Sequence, residues 1–206
     1  MPELQIVHIV EDDPAVRESL TLLLLSAGFV AQAYDSVSAL LDTDFPPTGC
    51  IVSDIRMTGT TGLDLLSDLR SRRVWTPVIL MTAYAEVAIA VKAMKLGAFD
   101  FIEKPFDDEL MISTVRAALE RRGDSRAGDA EALAARDKLA SLTGREKEVL
   151  GGLLKGKLNK TIAHELGISV RTVETYRANV MIKTQATSLS ELVRLSLMAD
   201  SAPDEI

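Results

Sequence analysis

IVEDDP, residues 9–14, sets three acidic side chains in a row where an apolar run stops and a proline follows. Like charges packed together repel, so the stretch is either a solvated turn or the wall of a site that takes a positive group. Its surroundings say which kind of fold it belongs to. Upstream, LQIVHIV (4–10) is a short apolar run, the pattern of a buried strand. Downstream, PAVRESLTLLLLSAG (14–28) is helical in pattern, with Asp13 as N-cap, Pro14 at the first helical position and Gly28 as the stop. A strand, a tight acidic turn and a helix form one β–α unit.

The unit recurs. Strands are predicted at 29–34, 50–54, 77–82 and 98–103, and helices at 36–43, 63–72, 86–97 and 107–122. Five such units with apolar strands predict an α/β fold, a doubly wound five-stranded parallel sheet covered on both faces. Residues 123–138 are rich in charge and poor in large apolar groups, which predicts a linker able to be helical from Asp129 onward. A new apolar pattern, helical throughout, covers 139–199. The last residues, 200–206, are expected to be a disordered tail.

Composition narrows the function. At 206 residues with 47% apolar side chains the chain suits one or two packed domains. No apolar run reaches the roughly 18 residues of a membrane span, and the start lacks the basic region of a signal peptide. Cys50 is the lone cysteine, so no intramolecular disulfide forms; it reads as a core thiol in a reducing cytoplasm. His8 and His164 lie far apart without cysteine company, which argues against zinc. The net charge of −7 hides an asymmetry. Residues 1–120 hold nine Lys/Arg against eighteen Asp/Glu, whereas residues 139–199 hold nine against five. An acidic module followed by a basic one predicts different partners, a cation for the first and a polyanion for the second.

In a sheet of order 2-1-3-4-5, strands 1 and 3 are neighbours, and ligands bind beyond the carboxyl ends of the strands at this switch point. Glu11 and Asp12 end the first strand and Asp54 ends the third, so three carboxylates should converge. Two such charges 4 Å apart repel by about 4 kcal/mol at an effective dielectric of 20. A hard divalent cation removes the conflict, and Mg²⁺, which keeps several waters, suits a shallow site. Thr82 and Lys104 end the fourth and fifth strands at the same edge. Carboxylate, cation, ammonium and hydroxyl are the equipment for accepting a phosphoryl group.

The basic module shows helix signals in order: Thr143 with Glu146 as a capping box, Asn159 as a cap, Gly167 as a break, Ser169 as a second cap, and Ser188 with Glu191 as a second box. The middle pair fits a helix-turn-helix. Ala163 is small where helices cross, and Val173, Ile162, Leu166 and Ile168 complete the core. This leaves Arg171, Thr172, Glu174, Thr175, Arg177 and Ala178 towards solvent near the start of the second helix, beside Ser169. Arg171 and Glu174 suit base edges; Lys160, Arg177 and Lys183 suit phosphates.

The acidic pair, SDIRM (53–57), MTA (81–83) and FIEKPF (101–106) resemble a two-component response regulator. The spacing, 42 residues from Asp12 to Asp54, 28 to Thr82 and 22 to Lys104, is more specific than any one piece. With LTGREKEVL, NKTIAHELGIS and RTVETYRANVMIK the likeness extends to the FixJ group of LuxR/NarL-type regulators, over about residues 4–199. The resemblance implies a flavodoxin/CheY-like receiver at 1–122 and a four-helix LuxR-type DNA-binding domain at 139–199. It implies that Asp54 accepts phosphoryl from a sensor histidine kinase. Mg²⁺ would be held by Glu11, Asp12, Asp54 and the Arg56 carbonyl, and Lys104, before a cis Pro105, would pair with the phosphoryl group. Thr82 and Phe101 would form a switch that promotes a homodimer on promoter DNA, with RNA polymerase as a further partner. A haem-containing oxygen-sensing kinase and nitrogen-fixation genes are implied by the same likeness.

Three positions depart from the pattern. Glu11 replaces the usual Asp, leaving direct or water-mediated coordination open. Thr58 replaces the usual proline, so the loop after Asp54 is expected to be more mobile. Tyr176 replaces a frequent His. GGLLKGK (151–157) matches the start of a phosphate-binding loop, but Leu158 stands where a Ser or Thr must hold Mg²⁺. A phosphatase using Asp54 as nucleophile would want a second Asp two residues on, where Arg56 stands. No enzyme activity beyond the chain's own phosphoryl transfer is therefore expected.

Overall fold

The computed structural model describes residues 6–43, 49–83, 87–120 and 127–201, without the side chains of 127–132 and 200–201. Five strands, β1 (Ile6–Val10), β2 (Val30–Tyr34), β3 (Cys50–Asp54), β4 (Val78–Thr82) and β5 (Asp100–Glu103), form one parallel sheet of order β2-β1-β3-β4-β5. This is the expected doubly wound order. Between the strands lie α1 (Pro14–Ser26), α2 (Val37–Leu41), α3 (Gly62–Ser71) and α4 (Val87–Lys95), and α5 (Asp108–Glu120) follows the sheet.

Alternation along the central strands builds two faces. Val7, Ile9, Cys50, Val52, Ile79, Met81 and Ile102 point to one side, where Leu20 and Leu24 of α1 and Met111, Val115 and Ala118 of α5 complete a core. Cys50 is fully buried there, as expected of a core thiol, and burial pushes it up to about 12. Burying one leucine-sized side chain contributes roughly 1.5–3 kcal/mol, so this cluster is a main source of the unit's stability. β2 and β5 are the sheet edges, and β2 is accordingly half exposed.

After the sheet come α6 (Ala127–Ala140), α7 (Gly144–Leu154), α8 (Asn159–Leu166), α9 (Val170–Thr184) and α10 (Leu189–Ser201). The linker is helical from Ala127, two residues before the expected start. Thr143 and Glu146 form the expected capping box of α7. Gly167, with φ of 64°, ends α8 in the left-handed region that glycine adopts without strain, and Ser169 caps α9 through Thr172 N. Ile162, Ala163 and Val173 are buried, with Leu166 and Ile168 packed against them, as the helix-turn-helix reading requires.

Two expectations are corrected. Asn159 is the first residue of α8 rather than its cap; Leu158 takes the cap position without a side-chain bond. The second box is shifted by one residue: Glu191 N donates to Ser188 Oγ at 3.2 Å, but the Glu191 carboxylate accepts from Thr187 N at 2.8 Å. The segment 151–154 lies inside α7, in keeping with the rejection of GGLLKGK as a phosphate-binding loop. The chain divides into two compact units, Met1–Ala85 with Leu96–Gly123, and Glu86–Lys95 with Asp124–Ile206, with α4 in the second. Its sequence, VAIAVKAMK, is apolar round most of its circumference, so periodicity does not say where it packs. Glu86, Arg121, Arg122, the linker residues 123–126 and the tail residues 202–206 lie outside the described residues.

Candidate functional site

The three acids of IVEDDP have separate duties. Asp13 is the N-cap of α1, accepting from Ala15 N at 2.8 Å and Val16 N at 3.1 Å. Asp12 turns to the loop after β3, where its Oδ2 accepts from Thr58 N at 2.9 Å and Thr58 Oγ1 at 3.1 Å. Glu11 is buried, 3% exposed, and its Oε2 accepts from Lys104 Nζ at 2.6 Å.

Lys104 is the hub. Its Nζ also donates to Asp54 Oδ1 at 2.5 Å, so an ammonium 93 residues from Glu11 and 50 from Asp54 joins both carboxylates. Its own backbone N–H donates to the Thr82 carbonyl at 2.7 Å, which fixes the start of the loop after β5. The Lys104–Pro105 bond is cis. Asp54 is 6% exposed at the end of β3, and its Oδ2 accepts from Arg56 N at 2.6 Å. Thr82 is fully buried at the end of β4, opposite Glu103 in the register. Phe101 is half-buried on β5 opposite Leu80, on the same sheet face as Thr82.

The electrostatics follow from this. Burial raises the Glu11 carboxyl above the ordinary carboxylate range, and the neighbouring Asp54 charge adds to the rise, against the pull of Lys104. Burial works to lower Lys104, but the bonds and charges of Asp54 and Glu11 outweigh it, and the ammonium is held above its usual range. The Thr58 backbone N–H holds Asp12 below the usual range against the opposing effect of burial, with further help from the Thr58 hydroxyl.

Glu11, Asp12 and Asp54 are not gathered as a ready cation cage: among the described residues, no group of three or more His, Cys, Asp or Glu is arranged to hold a metal. Glu11 and Asp54 meet at Lys104, and Asp12 is drawn to Thr58. The cause is the repulsion that raised the question, relieved here by an ammonium and two hydrogen-bond donors. The donor chemistry still fits Mg²⁺. The candidate ligands are all oxygen, and two carboxylates, Glu11 and Asp54, share one ammonium, an excess of negative charge that a divalent cation would neutralise. The loop after Asp54 is also more tied than expected, because Thr58 supplies bonds that a proline lacks.

On the second unit, Lys160, Ser169, Arg171, Glu174, Thr175, Ala178 and Lys183 are exposed, and Thr172 and Arg177 are half-buried. Thr172 Oγ1 bonds Ser169 Oγ at 2.8 Å, so both hydroxyls serve the start of α9. Thr175 Oγ1 donates to the Arg171 carbonyl at 3.0 Å. Arg171, Glu174, Thr175 and Ala178 follow the helical spacing of one face. Lys183 is engaged elsewhere: its Nζ donates to Glu146 Oε2 at 2.7 Å. That bond is the first cause holding Glu146 below its usual range. The signal that sequence reasoning missed was Glu146 itself, read only as half of a capping box. Tyr176 packs against the helical core.

Two family models match the chain. The response regulator receiver domain model matches residues 7–116, and that for bacterial regulatory proteins of the luxR family matches residues 140–196. The chain belongs to the two-component response regulators that join a receiver domain to a LuxR-type helix-turn-helix DNA-binding domain. More particularly, it is similar to the transcriptional regulatory protein FixJ. Identity is 51% with that of Azorhizobium caulinodans, covering 98% of this chain and 97% of the relative. With FixJ of Bradyrhizobium diazoefficiens it is 44%, covering 96% and 97%. The crystal structure of full-length FixJ from B. japonicum matches with a TM-score of 0.57 at 43% identity, covering 97% of this chain and 98% of that one.

Proposed function

We propose that this FixJ-like transcription regulator is switched by phosphorylation of Asp54. A carboxylate oxygen of Asp54 attacks the phosphorus of a phosphohistidine on the sensor kinase. The phosphorus–nitrogen bond breaks, the histidine keeps its electron pair, and an acyl phosphate forms on Asp54. A carboxylate nucleophile needs no general base. The observation that carries this reading is Asp54, nearly buried at the end of β3, with Lys104 Nζ at 2.5 Å and Arg56 N at 2.6 Å. Those donors hold the nucleophile in place and neutralise charge that develops on the transferring group. Glu11, Asp12, Asp54 and the Arg56 carbonyl would hold Mg²⁺. When bound, the cation supplies further neutralisation of the phosphoryl oxygens.

Lys104 then exchanges its bond to the Asp54 oxygen for one to the phosphoryl group, and the Thr82 hydroxyl turns towards it. Phe101 moves into the space that Thr82 leaves. This biases the molecule towards a homodimer, which sets two α9 helices about one helical turn, ~34 Å, apart on promoter DNA, where RNA polymerase is engaged. The chain works in the cytoplasm and turns over no external substrate. By likeness to FixJ, the kinase is a haem-containing oxygen sensor and the targets are nitrogen-fixation genes expressed at low oxygen.

Asp54→Asn is expected to abolish labelling by acetyl phosphate in the presence of Mg²⁺, followed by intact-protein mass spectrometry. Stoichiometric labelling of the variant would place the acceptor elsewhere. Rapid multiple turnover of phosphomonoesters by the unaltered chain would favour a phosphatase instead.

A further inference from the structure

Thr58 lies in the loop after β3. Its contact with Asp12 spans 46 residues of sequence, so it is tertiary and ties the phosphoacceptor loop to the end of β1. Both donors, N–H at 2.9 Å and Oγ1–H at 3.1 Å, go to the same oxygen, Oδ2. A carboxylate oxygen has two lone pairs, so this one is fully used. Each of the three carboxylates has a protein partner. Lys104 answers Glu11 and Asp54, and Thr58 answers Asp12. This accounts for the lack of a ready three-acid group among the described residues, since Asp12 is held by the loop.

We propose that Thr58 competes with the divalent cation for the Asp12 carboxylate and so sets the cation affinity of the site. The inference rests on the Mg²⁺ reading above. A cation that draws on Asp12 must displace a Thr58 donor from Oδ2 or make do with Oδ1. A proline at position 58 would offer neither the N–H nor the hydroxyl, and the site would load more readily. Thr58 is exposed and makes no other side-chain bond among those described, so its hydroxyl can be removed with little effect on packing.

The test is calorimetric titration of the full chain with MgCl₂, together with thermal unfolding without metal. Thr58→Val removes the hydroxyl and keeps the backbone N–H and the shape. It is expected to bind Mg²⁺ on the order of fivefold more tightly, the worth of one net hydrogen bond of about 1 kcal/mol. Thr58→Ala should shift affinity the same way, and Thr58→Ser, which keeps the hydroxyl, should bind as the unaltered chain does. Metal-free Thr58→Val should unfold at the same or a slightly lower temperature. Equal or weaker Mg²⁺ binding by Thr58→Val, with clear binding by the unaltered chain, overturns the competition and leaves the Mg²⁺ site standing. A lower unfolding temperature with unchanged affinity would make Thr58 a merely structural residue. No Mg²⁺ binding by the unaltered chain would overturn both readings.

Discussion

At the scale of the residue, partners decide more than positions. Glu11, Asp12 and Asp13 are adjacent and chemically alike, yet one bonds a distant lysine, one a loop threonine and one its own helix. His8 shows the same rule in the core of the sheet. It is fully buried, its Nδ1 lies 3.3 Å from the Tyr34 hydroxyl, and burial pushes its imidazole below the ordinary value of about 6.5. The folded chain therefore prefers neutral His8. The stability that this contributes is complete above the ordinary value and is lost as pH falls through the lowered one. Relative to His8→Gln, the unaltered chain should lose thermal stability between about pH 7.5 and pH 5. A constant difference in unfolding temperature across that range would refute the assignment.

At the scale of the element, caps and close approaches place the site. Thr61 and Asp64 form a reciprocal capping box at the start of α3, a Thr-x-x-Asp that the Glu/Gln rule overlooks. The box brings Gly62 so close to β3 that a Cβ there would lie 2.3 Å from the Asp54 carbonyl oxygen and 3.0 Å from Ser53 Oγ. Gly62→Ala should thus cost roughly 1–3 kcal/mol, read from the denaturant midpoint. Gly144 holds the same first position in α7 with nothing within 4 Å of its Cβ, so Gly144→Ala is the matched control and should not lose stability. A Gly62→Ala chain as stable as that control would mean that the helix start yields easily. The five strands and the helices flanking them were legible because period and punctuation are local. The cap of α8 was not, because Asn159 and Leu158 differ only in backbone conformation.

At the scale of the whole molecule, an acidic receiver and a basic helix-turn-helix domain share one chain, and their charges forecast different partners. Exposed Arg171 on the outward face of α9 should read base edges, and exposed Lys160 should hold phosphate. Arg171→Ala is expected to remove about 1–3 kcal/mol of preference between matched and altered promoter sequences. Lys160→Ala should weaken every sequence alike and reduce the salt slope by about one. Anisotropy titrations over a range of salt separate the two, and equal losses on every sequence from both variants would refute the division. Lys183 does not belong in that comparison, because its removal would strip buried Glu146 of its cation.

The strand ends, the acidic pair, Asp54, Thr82, Lys104 and the helix-turn-helix punctuation all belonged to the sequence alone, since each is a short-range pattern and their spacing is set by whole β–α units. Which donor meets which acid belonged to the tertiary structure. Glu11 with Lys104, Asp12 with Thr58 and Glu146 with Lys183 join residues 93, 46 and 37 positions apart. Such pairs follow from how the chain closes on itself and from the need of buried charge for a partner, and no local pattern encodes that choice.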